Sequence, residues 1–428
     1  MKHYTDFNKK ELESELSRLR ALYEDVKAQG RKLDMSRGKP SKEQLDIGTP
    51  ILTALSSPAD CIADDGTDVR NYGVLPGIPE CRRLFGELTG MPAENVVIYG
   101  ESSLNLMYDT FVRCMLFGAD GSGSEPWAGR KIKFICPAPG YDRHFAICED
   151  MGVEMLTVRM TPEGPDADAV EELVKDPSVK GMWCVPKYSN PDGYTCSDRT
   201  VRRLAALKPA ARDFRIFWDN AYIVHDLYGE GDALTNIFDL IRGTDNEDMV
   251  FEFVSTAKIT FPGAGVAAFV SSERNVKAMM SHLKAQSISH DKINQLRHVR
   301  YLKSVENIKE IMKAHAAVLR PKFDMLKTKF GESLNMTSAH WTEPNGGYFI
   351  SMYVRPGTAK RVFALCRDAG LTLTNVGASY PYSKDPSDSN LRIAPSFPTV
   401  DALSAAADIL CLCIRLAEVE SLAESRTE

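Results

Sequence analysis

Short apolar segments alternate with helical patterns over residues 96–270, and this alternation restricts the fold more than any other feature. The apolar segments have the length and the β-branched and aromatic content of strands. We predict seven strands, at Val96–Tyr99, Ile132–Cys136, Val153–Val158, Gly181–Val185, Arg215–Trp218, Met249–Val254 and Val266–Val270. Strands that alternate with helices form βαβ units, so we predict an α/β fold with a large, mostly parallel seven-stranded sheet covered by helices.

The pattern changes on both sides of this region. The first residues predict one amphipathic helix that ends at Gly30, and a long helical region follows Val270. Mixed elements come next: strand Tyr348–Val354, helix Ala359–Ala369, strand Leu371–Thr374, strand Leu391–Ala394 and a helix from Val400. We therefore predict that residues 1–50 join a small α+β domain of residues 331–428, and that residues 51–330 form the large domain. The short Gly-Ser stretch at 121–124 predicts a surface loop.

The charge balance excludes several kinds of partner. The formal net charge is −6 and the basic residues are scattered, so no basic face for nucleic acid or an anionic membrane is expected. No apolar run approaches the length of a membrane span, and the N-terminus lacks the apolar core of a signal peptide, which predicts a cytoplasmic protein. The ten cysteines are dispersed without a CxxC pair, which favours reduced core thiols over disulfides or a metal site.

Polar residues follow several of the predicted strands. In open parallel sheets ligands bind beyond the carboxyl ends of the strands, so these residues are candidates for a functional site. Ser102 and Ser103 open a helix, where hydroxyls and free backbone N–H groups suit a phosphate, although helix capping also explains a serine there. Asp219 ends another strand and either faces a cationic ligand nitrogen or serves as a helix cap or an exposed loop acid.

Lys258 follows the strand at 249–254 and precedes a Gly/Pro-rich turn at 261–265. Desolvation at the sheet edge would lower the pKa of this lysine, as a nucleophilic amine requires. A solvated lysine that extends along the surface is the alternative.

Phosphate donors, an acid and a lysine thus follow one another around one sheet edge, and the chain resembles the fold-type I aminotransferases of class I/II. The resemblance extends from about Arg37 to Arg392 and is closest to the bacterial aspartate aminotransferases of subgroup Ic. The segments that carry it are RGKPSKEQLD, NYGVLPGIPE, YSNPDGYT, SISHDKINQLRHVRYL and LRIAPSFP. It implies pyridoxal 5'-phosphate as cofactor and a homodimer with shared active sites.

The resemblance assigns the catalytic roles to three residues. Lys258 would form a Schiff base with the cofactor aldehyde and then move the proton of the substrate Cα. Asp219 would pair with the pyridinium nitrogen. Tyr222 and Asn190 would hydrogen-bond to the cofactor's phenolic oxygen, and Asn190 would also contact the substrate.

The other cofactor contacts follow from the same resemblance. Tyr141 would stack on the pyridine ring, with a core aromatic as the alternative, and Ala221 would pack beneath the ring. The phosphate would be held by Ser102, Ser103, Ser255 and, from the neighbouring subunit, Tyr72. Two positions depart from the family pattern: Gly265 occupies the place of a phosphate-binding arginine, and Glu101 puts a negative charge beside the phosphate. Neutral donors, the helix dipole or another cation would then balance the phosphate charge.

The resemblance also suggests how a substrate is held. Arg392 would bind the α-carboxylate as a bidentate fork, and Gly38 would bring its backbone near the substrate. A dicarboxylate also needs a distal cation, for which the candidates are Arg37, Lys39, Arg143, Lys187, Lys292 and Arg297. We select Lys292, because related enzymes supply this cation from the corresponding segment of the partner chain. Solvated charges on a helix face are the alternative.

The predicted function is transfer of the amino group of L-aspartate to 2-oxoglutarate by a ping-pong mechanism, which gives oxaloacetate and L-glutamate. A transaminase of another amino acid, alanine or an aromatic one, stays open, as does a lyase or decarboxylase on the same fold. A transcription regulator is disfavoured because only about 35 residues precede Arg37, too few for a helix-turn-helix domain. A nucleotide-binding dehydrogenase is disfavoured because no GxGxxG opens the first βα unit.

Overall fold

The computed structural model describes residues 2–119 and 125–426. The strands are β1 Leu33–Asp34, β2 Val96–Ile98, β3 Lys133–Ala138, β4 Glu154–Thr161, β5 Gly164–Pro165, β6 Val179–Cys184, β7 Arg215–Asp219, β8 Val250–Ser255, β9 Ala267–Val270, β10 His340–Trp341, β11 Ile350–Tyr353, β12 Leu371–Thr372 and β13 Asn390–Ile393. The predicted surface loop at 121–124 lies outside the described residues.

The α-helices enclose and connect these strands. They are α1 Lys9–Ala28, α2 Lys42–Ile47, α3 Pro79–Thr89, α4 Ser103–Phe117, α5 Asp142–Asp150, α6 Ala167–Leu173, α7 Asp198–Ala205, α8 Ile237–Ile241, α9 Glu273–Gln286, α10 Lys292–Leu302, α11 Val305–Ser333, α12 Ala359–Asp368 and α13 Val400–Ser425.

The large sheet has the strand order β2-β9-β8-β7-β6-β3-β4-β5. Strands β8, β7, β6, β3 and β4 are parallel neighbours, whereas β9 is antiparallel to both β2 and β8. The α/β fold and all seven predicted strands are confirmed, but seven is one too few. The eighth strand is the two-residue β5, which pairs antiparallel with the end of β4 and is too short to produce a sequence pattern.

The central strands are apolar because helices cover both faces of the sheet. Every residue of β7 and β8 is buried. On one face the core contains side chains of α3, α6, α7 and α8. On the other face it contains side chains of α4, α5 and α9, together with the packed rings of Phe111, Trp183 and Phe217. A sheet buried on both faces leaves its strand ends as the place for polar function.

The N-terminal segment contacts the C-terminal elements. Strand β1 pairs with β12 through Leu33 and Leu371, and the Tyr23 hydroxyl donates to the carbonyl of Leu365 in α12. Strands β10, β11 and β13 form a separate antiparallel sheet. Helix α11 continues unbroken through position 330, and the domain division at residues 50 and 330 stays a prediction.

Nine of the ten cysteines are buried, Cys61 is partly exposed, and all are free thiols. No helix in residues 2–119 and 125–426 has the length and apolar character that crossing a membrane requires.

Candidate active site

The ends of β7 and β8 bring Asp219, Tyr222 and Lys258 together. Asp219 is the last residue of β7 and pairs in register with Phe253 of β8, so the turn after β8 lies beside the turn after β7. The Lys258 Nζ stands 4.5 Å from the centre of the Tyr222 ring. An acid, a phenol and an amine therefore converge at the sheet edge where the sequence predicted them.

Asp219 is a buried carboxylate with one free oxygen. Its Oδ2 lies 3.1 Å from Nε2 of His144, and since a carboxylate only accepts hydrogen bonds, that nitrogen carries the proton. Its buried Oδ1 has no hydrogen-bond partner within the described part of the chain. A buried carboxylate oxygen without a partner is costly, so this atom suits a cationic or N–H group of a ligand.

His144 is a site residue that the sequence reasoning missed. Its ring stacks on Trp183, with centroids 4.3 Å apart and planes 7° apart, and this contact fixes the imidazole that holds Asp219. It lies in the first turn of α5, three residues after Tyr141, whose ring meets the histidine edge to face. That spacing from Tyr141 was the signal that could have identified it.

Lys258 is partly buried, and this desolvation lowers the pKa of its amine, while the nearby Asp219 carboxylate opposes the shift. Its backbone carbonyl accepts a hydrogen bond from the Tyr348 hydroxyl at 3.3 Å. Tyr348 in turn accepts from Nε2 of Gln44 at 3.0 Å. These two residues, also missed from the sequence, connect the lysine turn to β11 and α2.

Asn190, Ala221 and Tyr222 are buried close to these groups. Asn190 Oδ1 has no partner among the residues that the structure describes. Burial raises the pKa of Tyr222 well above its usual value. Between Asp219 and Ala221, Asn220 donates from Nδ2 to Glu252 at 2.7 Å, and burial raises the pKa of Glu252 to about 7.

Three of the predicted phosphate residues lie at element ends: Ser102 and Ser103 at the start of α4, and Ser255 at the end of β8. The carbonyl of Gly100 accepts from the backbone N–H of Ala267, which holds the β2–α4 loop beside β9. Ser102 caps α4 by accepting from the N–H of Asn105 at 3.3 Å, and a phosphate role for this serine stays a prediction. Ser103 and Ser255 are buried.

Gly265 lies where the loop between β8 and β9 packs closely on the loop between β2 and α4. A Cβ atom on Gly265 would lie 2.6 Å from the carbonyl oxygen of Glu101 and 3.1 Å from Cα of Ala257. The two loops therefore approach too closely for any side chain between them. The Glu101 side chain is exposed.

Arg392 reaches the site from β13. Its Nη1 donates to Oδ1 of Asp142 at 2.7 Å, and its guanidinium lies 5.3 Å from the centre of the Phe349 ring. The same ring packs so closely on Gly38 that no larger residue fits there without movement. The structure thus brings two of the four predicted substrate residues, Gly38 and Arg392, to one aromatic ring.

Two predicted residues lie apart from this cluster within one chain. The Tyr72 side chain is 79% exposed. Lys292 is buried and donates from Nζ to the backbone carbonyl of Asn71 at 2.6 Å and to Ser289 Oγ at 3.1 Å. Among the other candidate cations, Lys187 pairs with Asp226 at 2.8 Å.

The comparison with known families assigns this chain. A family model described as aspartate aminotransferase matches residues 7–426. The chain belongs to the aspartate aminotransferase family. This aminotransferase is 46% identical over 407 residues to an aspartate aminotransferase of Corynebacterium glutamicum, with 95% of this chain and 94% of that protein covered.

Solved structures agree. A crystal structure of an aspartate transaminase from Corynebacterium glutamicum superposes with a TM-score of 0.95 at 44% identity, covering 98% of this chain and 99% of that one. An alpha-aminoadipate aminotransferase from Thermus thermophilus, at 20% identity and a TM-score of 0.72 over 91% and 93% of the two chains, shares the fold. The predictions of family, fold class and aminotransferase activity are confirmed.

Proposed function

We propose that this aminotransferase uses pyridoxal 5'-phosphate to move the amino group of L-aspartate to 2-oxoglutarate, with a ping-pong order and a cytoplasmic location. The single observation that carries the cofactor proposal is the buried Oδ1 of Asp219, which has no hydrogen-bond partner among the described residues. The other oxygen of this carboxylate, Oδ2, is held by His144 Nε2 at 3.1 Å. The name of the relative at 46% identity supports aspartate as the amino donor.

The residues present fit this cofactor. Asp219 Oδ1 would meet the pyridinium nitrogen, Tyr141 and Ala221 would contact the ring, and Tyr222 and Asn190 would meet the phenolic oxygen. Ser102, Ser103 and Ser255 would hold the phosphate together with the N-terminus of α4. When bound, pyridoxal phosphate supplies an aldehyde that takes up an amino group and a ring that accepts electrons from the substrate Cα.

The protein's own groups then have distinct tasks. Asp219, oriented by His144, stabilises a positive charge at the ring nitrogen, because it is a fixed anion in a buried place. Lys258 removes and returns the proton at the substrate Cα, and burial favours the neutral amine that such a base requires. Tyr222 lies close enough to contact the lysine amine and orient it.

Substrate binding in this proposal uses both ends of a dicarboxylate. Arg392 binds the α-carboxylate, and Gly38 leaves room beside it. In a homodimer, Tyr72 reaches the phosphate of the partner's site, and Lys292 provides the distal cation there. The exposure of Tyr72 and of the apolar side chains of Ile288 and Ile293, which flank Lys292, supports a second copy covering this surface.

The test is a half-reaction of the protein reconstituted with pyridoxal phosphate. L-Aspartate, added without any 2-oxo acid, is expected to bleach the visible absorption of the bound cofactor and to release one equivalent of oxaloacetate. If only alanine or an aromatic amino acid bleaches the absorption, aspartate is not the amino donor, but the aminotransferase activity stands. Carbon dioxide and alanine as products would indicate a decarboxylase, and no bound chromophore would refute the cofactor proposal.

A further inference from the structure

The contact between Arg392 and Asp142 joins residues that no motif connects. Asp142 is the first residue of α5, directly after Tyr141, and Arg392 lies in β13 on the other sheet. The Arg392 side chain is 10% exposed and the Asp142 side chain 31% exposed, so the pair is largely shielded from water. Hydrogen bonds are electrostatically stronger in a shielded place than on a surface, so their geometry has a larger effect there.

The contact uses only one part of the guanidinium. Asp142 accepts from Nη1 at 2.7 Å, while the buried Nε has no partner in the described part of the chain. A bidentate carboxylate binds a guanidinium along one edge, through two parallel N–H groups. The edge formed by Nε and Nη2 therefore stays available for a ligand carboxylate while Nη1 is fixed.

One further contact restricts the guanidinium, and the start of α5 favours its partner Asp142. The guanidinium lies over the Phe349 ring, which limits its tilt. The Asp142 carboxylate stands in the first turn of α5, where the helix dipole favours an anion. Helix α5 also carries His144, which holds Asp219, so one helix sets the position of both the arginine and the buried acid.

We propose that Asp142 is a positioning residue that holds Nη1 of Arg392, so that the Nε edge of the guanidinium faces the α-carboxylate of the substrate. The inference rests on the proposed function, in which Arg392 binds that carboxylate. Asp142 does not touch the substrate; it lowers KM by fixing the orientation of Arg392 before binding. The orientation serves amino acid and 2-oxo acid alike, because both carry the same carboxylate.

Two variants separate orientation from charge. Asp142→Ala removes the acceptor and is expected to raise KM for both L-aspartate and 2-oxoglutarate by about tenfold, the loss of one hydrogen bond to a charged group, with kcat within about twofold. Asp142→Asn keeps an oxygen acceptor for Nη1 and is expected to stay within about threefold of the wild-type KM. Glu149→Ala, which removes an exposed carboxylate from the same helix, serves as control and is expected to leave both constants unchanged.

A double-mutant cycle with Arg392→Lys completes the test. If Asp142 acts through Arg392, Asp142→Ala adds nothing further to KM in the Arg392→Lys background. An unchanged or lowered KM in Asp142→Ala, or a KM in Asp142→Asn as high as in Asp142→Ala, would overturn the positioning role. An unchanged KM in Arg392→Lys would instead refute the substrate role of Arg392 within the proposed function, so the two failures are distinguishable.

Discussion

The two ends of the proposed site are held in different ways. At the cofactor end, Asp219, His144 and Lys258 lie at the ends of central strands or on α5 and have partners in the same chain. At the substrate end, Arg392 comes from the small antiparallel sheet, and Lys292, the proposed distal cation, comes from α10. The strand ends of the large sheet and helix α5 carry the groups proposed for proton chemistry, whereas the groups proposed for substrate selection lie on other elements.

Loss of the amine at the cofactor end has the largest expected effect. Lys258→Ala is expected to lower kcat by at least about 10⁴-fold, because one amine both binds the cofactor and moves the Cα proton in our proposal. Steady-state turnover of L-aspartate and 2-oxoglutarate measures it. The control is Lys277→Ala, at an exposed lysine of α9, which should retain wild-type turnover. A loss of less than tenfold in Lys258→Ala would contradict the assignment.

Removal of the buried charge comes next. Asp219→Asn keeps the shape of the side chain and is expected to lower kcat by about 10²–10³-fold, since a fixed charge in a buried site contributes strongly to catalysis. Cofactor binding, followed by visible absorption, should persist. The exposed Asp239 of α8 provides the matched Asp→Asn control. Equal kcat values for Asp219→Asn and the wild type would show that Asp219 is not the anion that faces the ring nitrogen.

Removal of the hydrogen bond between His144 and Asp219 tests how much this contact contributes to kcat. His144→Phe keeps an aromatic ring on Trp183 but removes the hydrogen bond at 3.1 Å, and we expect kcat to fall by about tenfold. KM should change less than kcat, because the substitution leaves the contact between Asp142 and Arg392 in place. A change in KM alone would show that the two ends of the site are not separate in the way described above.

The contribution of a second copy to the cofactor end is tested through the exposed Tyr72. Tyr72→Phe is expected to raise the dissociation constant for pyridoxal phosphate by about fivefold, the loss of one hydrogen bond. Titration of the apoprotein with the cofactor measures it, and Tyr108→Phe, at another exposed tyrosine, is the control. The proposal that a partner subunit contributes to the site would be refuted by two results together. These are a monomeric protein in solution and a Tyr72→Phe variant with wild-type affinity for the cofactor.

The free energy of unfolding should depend on pH through the buried Glu252 of β8. The folded-state pKa of Glu252, about 7, lies above its ordinary value of 4.5, and desolvation is the cause. Stability from the neutral carboxyl is therefore fully present below about pH 4.5 and is lost as pH rises to about 7. Relative to Glu252→Gln, the wild type should lose roughly 2–3 kcal/mol of unfolding free energy over this window, measured by urea denaturation. A difference independent of pH would refute the raised pKa.

The sequence predicted the parts of the molecule that local patterns determine. Most of the seven longer strands of the large sheet are buried, the partly exposed β4 being the exception. Asp219 ends one of these strands and Lys258 follows another, so strand ends alone locate both residues. Strand β5 is too short for a pattern, and His144 lies within an ordinary amphipathic helix. Whether the site roles are correct stays a prediction that the variants above test.

Contacts between distant residues could not be predicted in this way. Asp142 and Arg392 are 250 positions apart, and neither has a neighbour that indicates the other. The closeness of Gly265 to Glu101 likewise depends on how two loops meet, which no single segment determines. The environment of the exposed Tyr72 also depends on more than its own segment, because a second copy is proposed to cover this surface.

Helix α5 has a consequence for redesign of this enzyme. Its first turn contacts both Asp219, through His144, and Arg392, through Asp142. A substitution that shifts or rotates this turn would move the ring anchor and the carboxylate anchor in the same step. Libraries intended to change substrate preference should therefore leave positions 141–144 fixed and vary residues around Lys292, the proposed distal cation.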